Sequence, residues 1–175
     1  MTRLMQSADN NKIQGTKRLV LCALLCAAAL TIFVVEAQIP LPIPFPGVKF
    51  GLSNVITLFA LVWLGTKDAF LILICRIILG AIFISNPSVL IYSLSAGLVC
   101  LAIEAILLKF IGKNYICEIS IIGAIVHNAV QVACAAAITK TASVFAYLPP
   151  LIIVAIITGA FCGLCVKFTY KKFFK

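Results

Sequence analysis

Six long apolar stretches, separated by short polar or charged segments, dominate the chain. They occupy residues 19–35, 50–64, 69–84, 88–108, 119–138 and 147–166. A helix of about 20 residues crosses a bilayer, because each residue advances the helix by about 1.5 Å. The second and third stretches fall slightly short of that length, so five spanning helices is the alternative count. The pattern predicts an all-α integral membrane bundle of six helices.

Composition supports a membrane protein and excludes several other classes. Of the 175 residues 63% are hydrophobic and 11% charged, and the mean hydropathy is +1.20, which a soluble domain can accommodate only by exposing large apolar patches. The net charge is +9, but no basic stripe with interleaved aromatics points to nucleic acid. The eight cysteines lie mostly inside apolar stretches, where Cys acts as a small hydrophobe. Cys162 and Cys165 form a CxxC without polar surroundings, so we predict no metal site and no cofactor.

The distribution of charge predicts the orientation in the membrane. Residues 1–16 are polar and predict a disordered cytoplasmic tail, residues 17–170 a single transmembrane domain, and residues 171–175 a basic tail. The first apolar stretch resembles a signal peptide but is too long for one, so we expect an uncleaved helix. Apart from Arg76, eleven basic residues fall in the segments predicted to be inside, and two, Lys49 and Lys140, fall outside. This bias predicts that both termini lie in the cytoplasm.

A proline-rich segment separates the first two apolar stretches. It reads PLPIPFPGVKFGLSN over residues 40–54, and prolines at every second position exclude a regular helix. The segment predicts an outward-facing lid over a ligand, in which Phe45 and Phe50 give apolar cover, Lys49 a charge and Asn54 a hydrogen bond. The alternative is a surface turn that only joins two helices.

Charged residues at bilayer depth need a partner or a water-filled cavity. Arg76 lies near the middle of the third apolar stretch, and Glu104 lies in the inner half of the fourth. Helical rise allows the two side chains to meet. An internal ion pair and an anchor for an anionic ligand both remain open for Arg76.

A second polar group lies on the fifth apolar stretch. His127 and Gln131 are four residues apart and share a helical face, with Asn128 one step around the helix. These side chains predict either hydrogen bonds to neighbouring helices or, together with Asn54, a ligand site.

The ordered motifs resemble one bacterial family. PGVKFGLSN at 46–54, Arg76 and then GAIVHNAVQ at 123–131 are similar to the Gx transporter family, also described as heptaprenyl diphosphate synthase component I. That family is similar in organisation to the substrate-capture (S) components of energy-coupling factor (ECF) transporters. The resemblance implies six helices in a bacterial plasma membrane, with a ligand site in the outer half under the lid. It also implies that Ala23 and Ala27 dock on a transmembrane coupling subunit of an ATP-binding cassette module. Close approach of helices at small residues suits such docking.

Catalysis by this chain alone is not expected. A trans-prenyltransferase holds magnesium with clustered aspartates, whereas the chain has Asp9 and Asp68 only and no DDxxD. It also lacks GxxxxGK[ST], so energy must come from a partner. We interpret the chain as a membrane component that captures a small, largely apolar metabolite of vitamin, cofactor or isoprenoid type. The alternatives are a non-catalytic membrane subunit of heptaprenyl diphosphate synthesis and a purely structural subunit. The predicted ligand-binding residues are Asn54, His127, Asn128, Gln131, Arg76, Lys49, Phe45 and Phe50.

Overall fold

The described part of the chain is all-α, as the sequence predicts. A computed structural model describes residues 2–38, 51–84 and 87–174. Within these ranges the six α-helices are α1 (Thr2–Ala37), α2 (Asn54–Trp63), α3 (Thr66–Ile84), α4 (Pro87–Ile111), α5 (Ile116–Thr139) and α6 (Leu148–Phe174). Short 3-10 helices at Lys113–Tyr115 and Ala142–Tyr147 lead into α5 and α6.

Four of these helices are long and apolar enough to cross a membrane. The candidate spans are Gly15–Glu36, Leu90–Ile111, Lys113–Thr139 and Ala142–Lys172. Helix α3 has 19 residues but carries Lys67, Asp68 and Arg76. Helix α2 has ten residues, or about 15 Å of rise, which is half of a hydrocarbon core about 30 Å thick. The membrane-type, all-helical character is therefore confirmed, whereas six complete spans are not.

The amino-terminal segment is part of the first helix, and the disordered tail over residues 1–16 stays a prediction. Helix α1 begins at Thr2 and runs without interruption into the apolar stretch. No proline occurs between residues 2 and 37, so nothing in the backbone ends the helix before the apolar part begins. The assignment of this segment to the cytoplasm stays a prediction.

The helices pack around a core to which α2 and α3 contribute centrally. Helix α5 packs along α4 and α6, while α3 contacts α1, α2 and α4. Leu58, Ile72, Leu73 and Ile77 are at most 1% exposed in this core. Large apolar side chains such as Phe83, Phe110, Phe161 and Phe168 remain exposed on outer faces. Exposed apolar surface of this extent suits contact with lipid.

Basic residues fasten the helices at the end where α2 turns into α3. Arg18 pairs with Asp68 at 2.6 Å and donates to the carbonyl of Leu64 at 3.2 Å. Lys113 donates to the carbonyl of Val62 at 2.8 Å and lies 4.9 Å from the ring centroid of Tyr170. These contacts join α1, α2, α3 and α6, and they lie at the end opposite to the junction of α1 and α2.

Helices α5 and α6 approach each other closely at two glycines. A Cβ built on Gly159 meets the Cα of Ile121 at 2.7 Å, and one on Gly163 meets the Cα of Cys117 at 2.6 Å. Backbone atoms cannot move aside as the end of a flexible side chain can. The spacing of Gly159 and Gly163 is therefore a helix-packing surface of the small-xxx-small kind.

We predict that Gly159→Ala and Gly163→Ala each lower the stability of the bundle by about 1–3 kcal/mol, because the added methyl group overpacks a backbone contact. The measurement is the thermal unfolding midpoint of the purified protein in detergent. Gly15→Ala is the matched control, since nothing lies within 4 Å of a Cβ at that position. Equal midpoints for all three variants would contradict the prediction.

Candidate functional site

Buried polar side chains from four helices and the amino-terminal end of α2 meet near the junction of α1 and α2. We call this set the polar cluster. Every member is at most 5% exposed, and its members, which line a common small void, are Glu36, Ser53, Arg76, Ser93, His127 and Gln131. Groups of this kind are costly at bilayer depth, so their convergence marks the strongest candidate site.

Arg76 of α3 lies at the start of α2 and binds two side chains there. Its Nη1 donates to the hydroxyl of Ser53, and its Nη2 donates to Oδ1 of Asn54 at 2.6 Å. Its Nε has no hydrogen-bond partner within the described residues. Ser53 is the N-cap residue of α2. The guanidinium therefore holds the beginning of α2 with neutral groups and keeps one donor unused.

Glu36, in the last turn of α1, is the residue that sequence reasoning missed. One of its oxygens accepts the backbone N–H of Gly51, and the other accepts that of Ser53 at 3.4 Å. Ser53 also contacts Arg76, and the Glu36 carboxylate and the guanidinium line the same void. A charged residue within an apolar helix is the same signal that marks Arg76 and Glu104. A charge at the end of an apolar stretch is also typical of a helix boundary, so the sequence alone does not distinguish the two roles.

His127 of α5 packs against Gly51. A Cβ built on Gly51 would lie 3.4 Å from Cδ2 and 3.7 Å from Nε2 of the imidazole, and 3.2 Å from Nδ2 of Asn54. Gly51 also has φ +79°, a conformation that glycine adopts at little cost. Nδ1 of His127 has no hydrogen-bond partner within the described residues. The structure thus brings His127, Asn54 and Arg76 together around Gly51.

Gln131 and Asn128 take different places on α5. Gln131 is 1% exposed and lines the same void as His127. The side-chain nitrogen of Asn128 donates to the carbonyl of Leu151 at 3.2 Å, which joins α5 to α6. The described contacts therefore support the interhelical alternative for Asn128, and its contact with a ligand stays a prediction.

Glu104 of α4 lies beside a second void rather than in an ion pair. Within the described residues no salt bridge joins it to Arg76. A Cβ on Gly123 would lie 2.3 Å from its Oε1, so the glycine of the GAIVHN segment provides the space that this carboxylate occupies. The second void also borders Gly51 and Asn54. The two voids share Gly51 in their lining and are therefore neighbours.

The voids are small. Each measures about 10 Å³, which is close to the least volume that holds one water molecule. A metabolite enters the cluster only if side chains or a helix end move. Phe45, Lys49 and Phe50, together with most of the predicted lid, lie outside the described residues, so their roles stay predictions.

The predicted docking residues line a much larger, apolar groove. Ala23 and Ala27 are exposed on α1 and border a groove of about 400 Å³ between α1 and α3. Cys22, Cys26, Cys75 and several leucine and isoleucine residues complete its lining. The groove is separate from the polar cluster, and its walls suit an apolar helix or a lipid chain. A grouping of three or more metal-ligating side chains is absent from the described residues.

Comparison with known proteins identifies one family. The family model described as heptaprenyl diphosphate synthase component I matches residues 25–169. This range contains every member of the polar cluster and part of the apolar groove. No curated protein and no solved structure matches the chain.

We predict that Gly51→Ala destabilises the protein more than Gly65→Ala. Both glycines have positive φ, +79° and +99°, so both changes carry the strain of a left-handed backbone, about 1 kcal/mol. Only the methyl group added at position 51 contacts Asn54 and His127, whereas nothing lies within 4 Å of a Cβ built on Gly65. The difference between their thermal unfolding midpoints isolates the packing of the polar cluster. A larger loss for Gly65→Ala would argue against that packing.

Proposed function

The chain belongs to the heptaprenyl diphosphate synthase component I family, and we propose that it is the substrate-binding membrane component of an uptake system. In this proposal it captures a small, largely apolar metabolite from the outer side and relies on a separate ATPase for energy. The convergence of Arg76, His127 and Gln131 in one buried cluster is the observation that carries the proposal. An apolar bundle with a few convergent polar groups is the usual chemistry of a small-molecule site.

The charge distribution supports an outward-facing site. The polar cluster lies near the junction of α1 and α2, whereas Arg18, Lys113 and most other described basic residues lie at the opposite end. By the positive-inside rule, the basic end faces the cytoplasm. The cluster then lies in the outer half of the membrane, where a captured metabolite arrives first.

Unsatisfied polar atoms support binding over a purely structural role. Nε of Arg76 and Nδ1 of His127 are buried without a partner among the described residues. Such atoms cost free energy unless something bonds them. A ligand that accepts a hydrogen bond from Nε of Arg76 and forms one with Nδ1 of His127 recovers that free energy. Affinity then comes from groups that are already in place.

A ligand test follows from these contacts. We predict that gently purified protein carries a small molecule detectable by native mass spectrometry, and that Arg76→Gln and His127→Ala lose it, because each removes a group that faces the void. Ser95→Ala is the control, since Ser95 bonds Cys134 and lies outside the polar cluster. Retention of the molecule by both site variants would favour a structural subunit.

A docking test addresses the energy-coupling partner. We predict that Ala27→Leu prevents co-purification with a transmembrane coupling subunit and its ATPases, because the larger side chain fills the groove in which Ala27 lies. Ala28→Leu is the matched control, because Ala28 is also exposed on α1 but does not line the groove. Equal recovery of the partner with both variants would show that docking lies elsewhere.

The name of the family favours a second candidate, a non-catalytic membrane subunit of a prenyl diphosphate synthase. The chain has two aspartates, too few for the magnesium cluster of such an enzyme. This candidate requires association with a soluble, aspartate-rich synthase and chain elongation only in the mixture. Reconstituting the two proteins and assaying elongation separates it from the uptake proposal.

A further inference from the structure

We propose that the polar cluster is an anion-binding site that Glu36 occupies in this structure, and that the carboxylate or phosphate head group of a ligand displaces Glu36. The inference rests on the proposed function, which it deepens by naming the class of ligand. The ligand is an apolar metabolite with an anionic head group, and Glu36 is a competitor built into the protein.

The first support is the position of the carboxylate. Glu36 accepts the N–H groups of Gly51 and Ser53, which precede the ten-residue helix α2. The N–H groups and the positive dipole at a helix amino terminus form a ready site for anions. Because α2 rises only about 15 Å, it resembles the half-helices of transporters whose amino termini point at anionic substrates within the membrane.

The second support is the state of Arg76. The guanidinium is 2% exposed, and its two Nη atoms donate to the neutral side chains of Ser53 and Asn54. Glu36 lines the same void, yet within the described residues no salt bridge joins the two. Nε has no partner there and belongs to a side chain that lines the void. A buried guanidinium with an unused donor is suited to an oxyanion.

The third support is the composition of the void. Among its described lining residues Glu36 is the one acidic side chain, and Ser93, His127 and Arg76 offer hydrogen-bond donors. Two anions side by side in a poorly solvated cluster repel each other strongly. The void also measures only about 10 Å³. Charge and space together therefore make binding of a ligand anion and retention of Glu36 mutually exclusive.

Titration of the purified full-length protein with inorganic diphosphate, acetate and uncharged acetamide tests the proposal. Glu36→Gln is expected to lower the Kd for at least one of the two anions by about tenfold or more, since it removes a competing charge. Arg76→Gln abolishes anion binding, and acetamide binding is the same in all variants. Comparison of diphosphate with acetate distinguishes a phosphate head group from a carboxylate.

Glu104→Gln is the matched control, because Glu104 is also a buried carboxylate, 3% exposed, but does not line this void. It is expected to change the Kd for the anions far less than Glu36→Gln does, because Glu104 lines the neighbouring void instead of this one. Weaker or unchanged anion binding in Glu36→Gln overturns the proposal, as does an equal gain in Glu104→Gln. If the native ligand proves neutral, the inference fails while the uptake function stands.

A measurement on the wild-type protein covers the case in which Glu36→Gln does not fold. Bound anion is expected to increase the labelling of Glu36 by a carbodiimide, because the displaced carboxylate loses its contacts with Gly51 and Ser53. Peptide mass spectrometry measures labelling at Glu36, and labelling at Glu104 is expected to stay constant. Protection of Glu36 by the anion, or no change at Glu36, overturns the proposal.

Discussion

The structure around the candidate site depends on one electrostatic requirement, the compensation of a buried carboxylate at the end of a helix. Glu36 lies in the last turn of α1, where the negative end of the helix dipole disfavours an acidic side chain. It is also 3% exposed, so water does not compensate it. The N–H groups of Gly51 and Ser53 and the nearby charge of Arg76 contribute to that compensation. Polar contacts therefore hold the end of α1 against the start of α2 inside an apolar bundle.

This requirement accounts for the local sequence at the start of α2. Gly51 has the positive φ and the lack of a side chain that let its N–H reach Glu36 while His127 packs against it. Ser53 donates its N–H to Glu36, and its hydroxyl oxygen accepts a hydrogen bond from Nη1 of Arg76. Oδ1 of Asn54 accepts the second bond from Arg76. Ser53, Glu36 and Arg76 are all buried within the bundle. The GLSN segment is thus a connector between two opposite charges on different helices.

Much of the fold follows from the sequence, because an apolar stretch in a membrane has few alternatives to a helix. Arg76, His127 and Gln131 could also be predicted as site residues, because they are polar side chains within such apolar stretches. Partners were harder to predict, since they depend on how the helices rotate and pack. Arg76 binds Ser53 and Asn54 instead of pairing with Glu104, and Asn128 bonds the backbone of α6. Glu36 was missed because a charge at the end of an apolar stretch also suits a helix boundary.

The position of Glu36 on α1 connects the two features that the proposed function requires. Nine residues separate Ala27 from Glu36, which is about 14 Å along a helix. One uninterrupted helix therefore has the apolar groove on its flank and the anion of the polar cluster at its end. In the proposed mechanism, displacement of Glu36 frees the end of α1 from α2 while α1 still packs against α3. In this proposal, a ligand that replaces Glu36 would act on the same helix that carries Ala23 and Ala27, so occupancy of the site and docking of a partner would be coupled through α1.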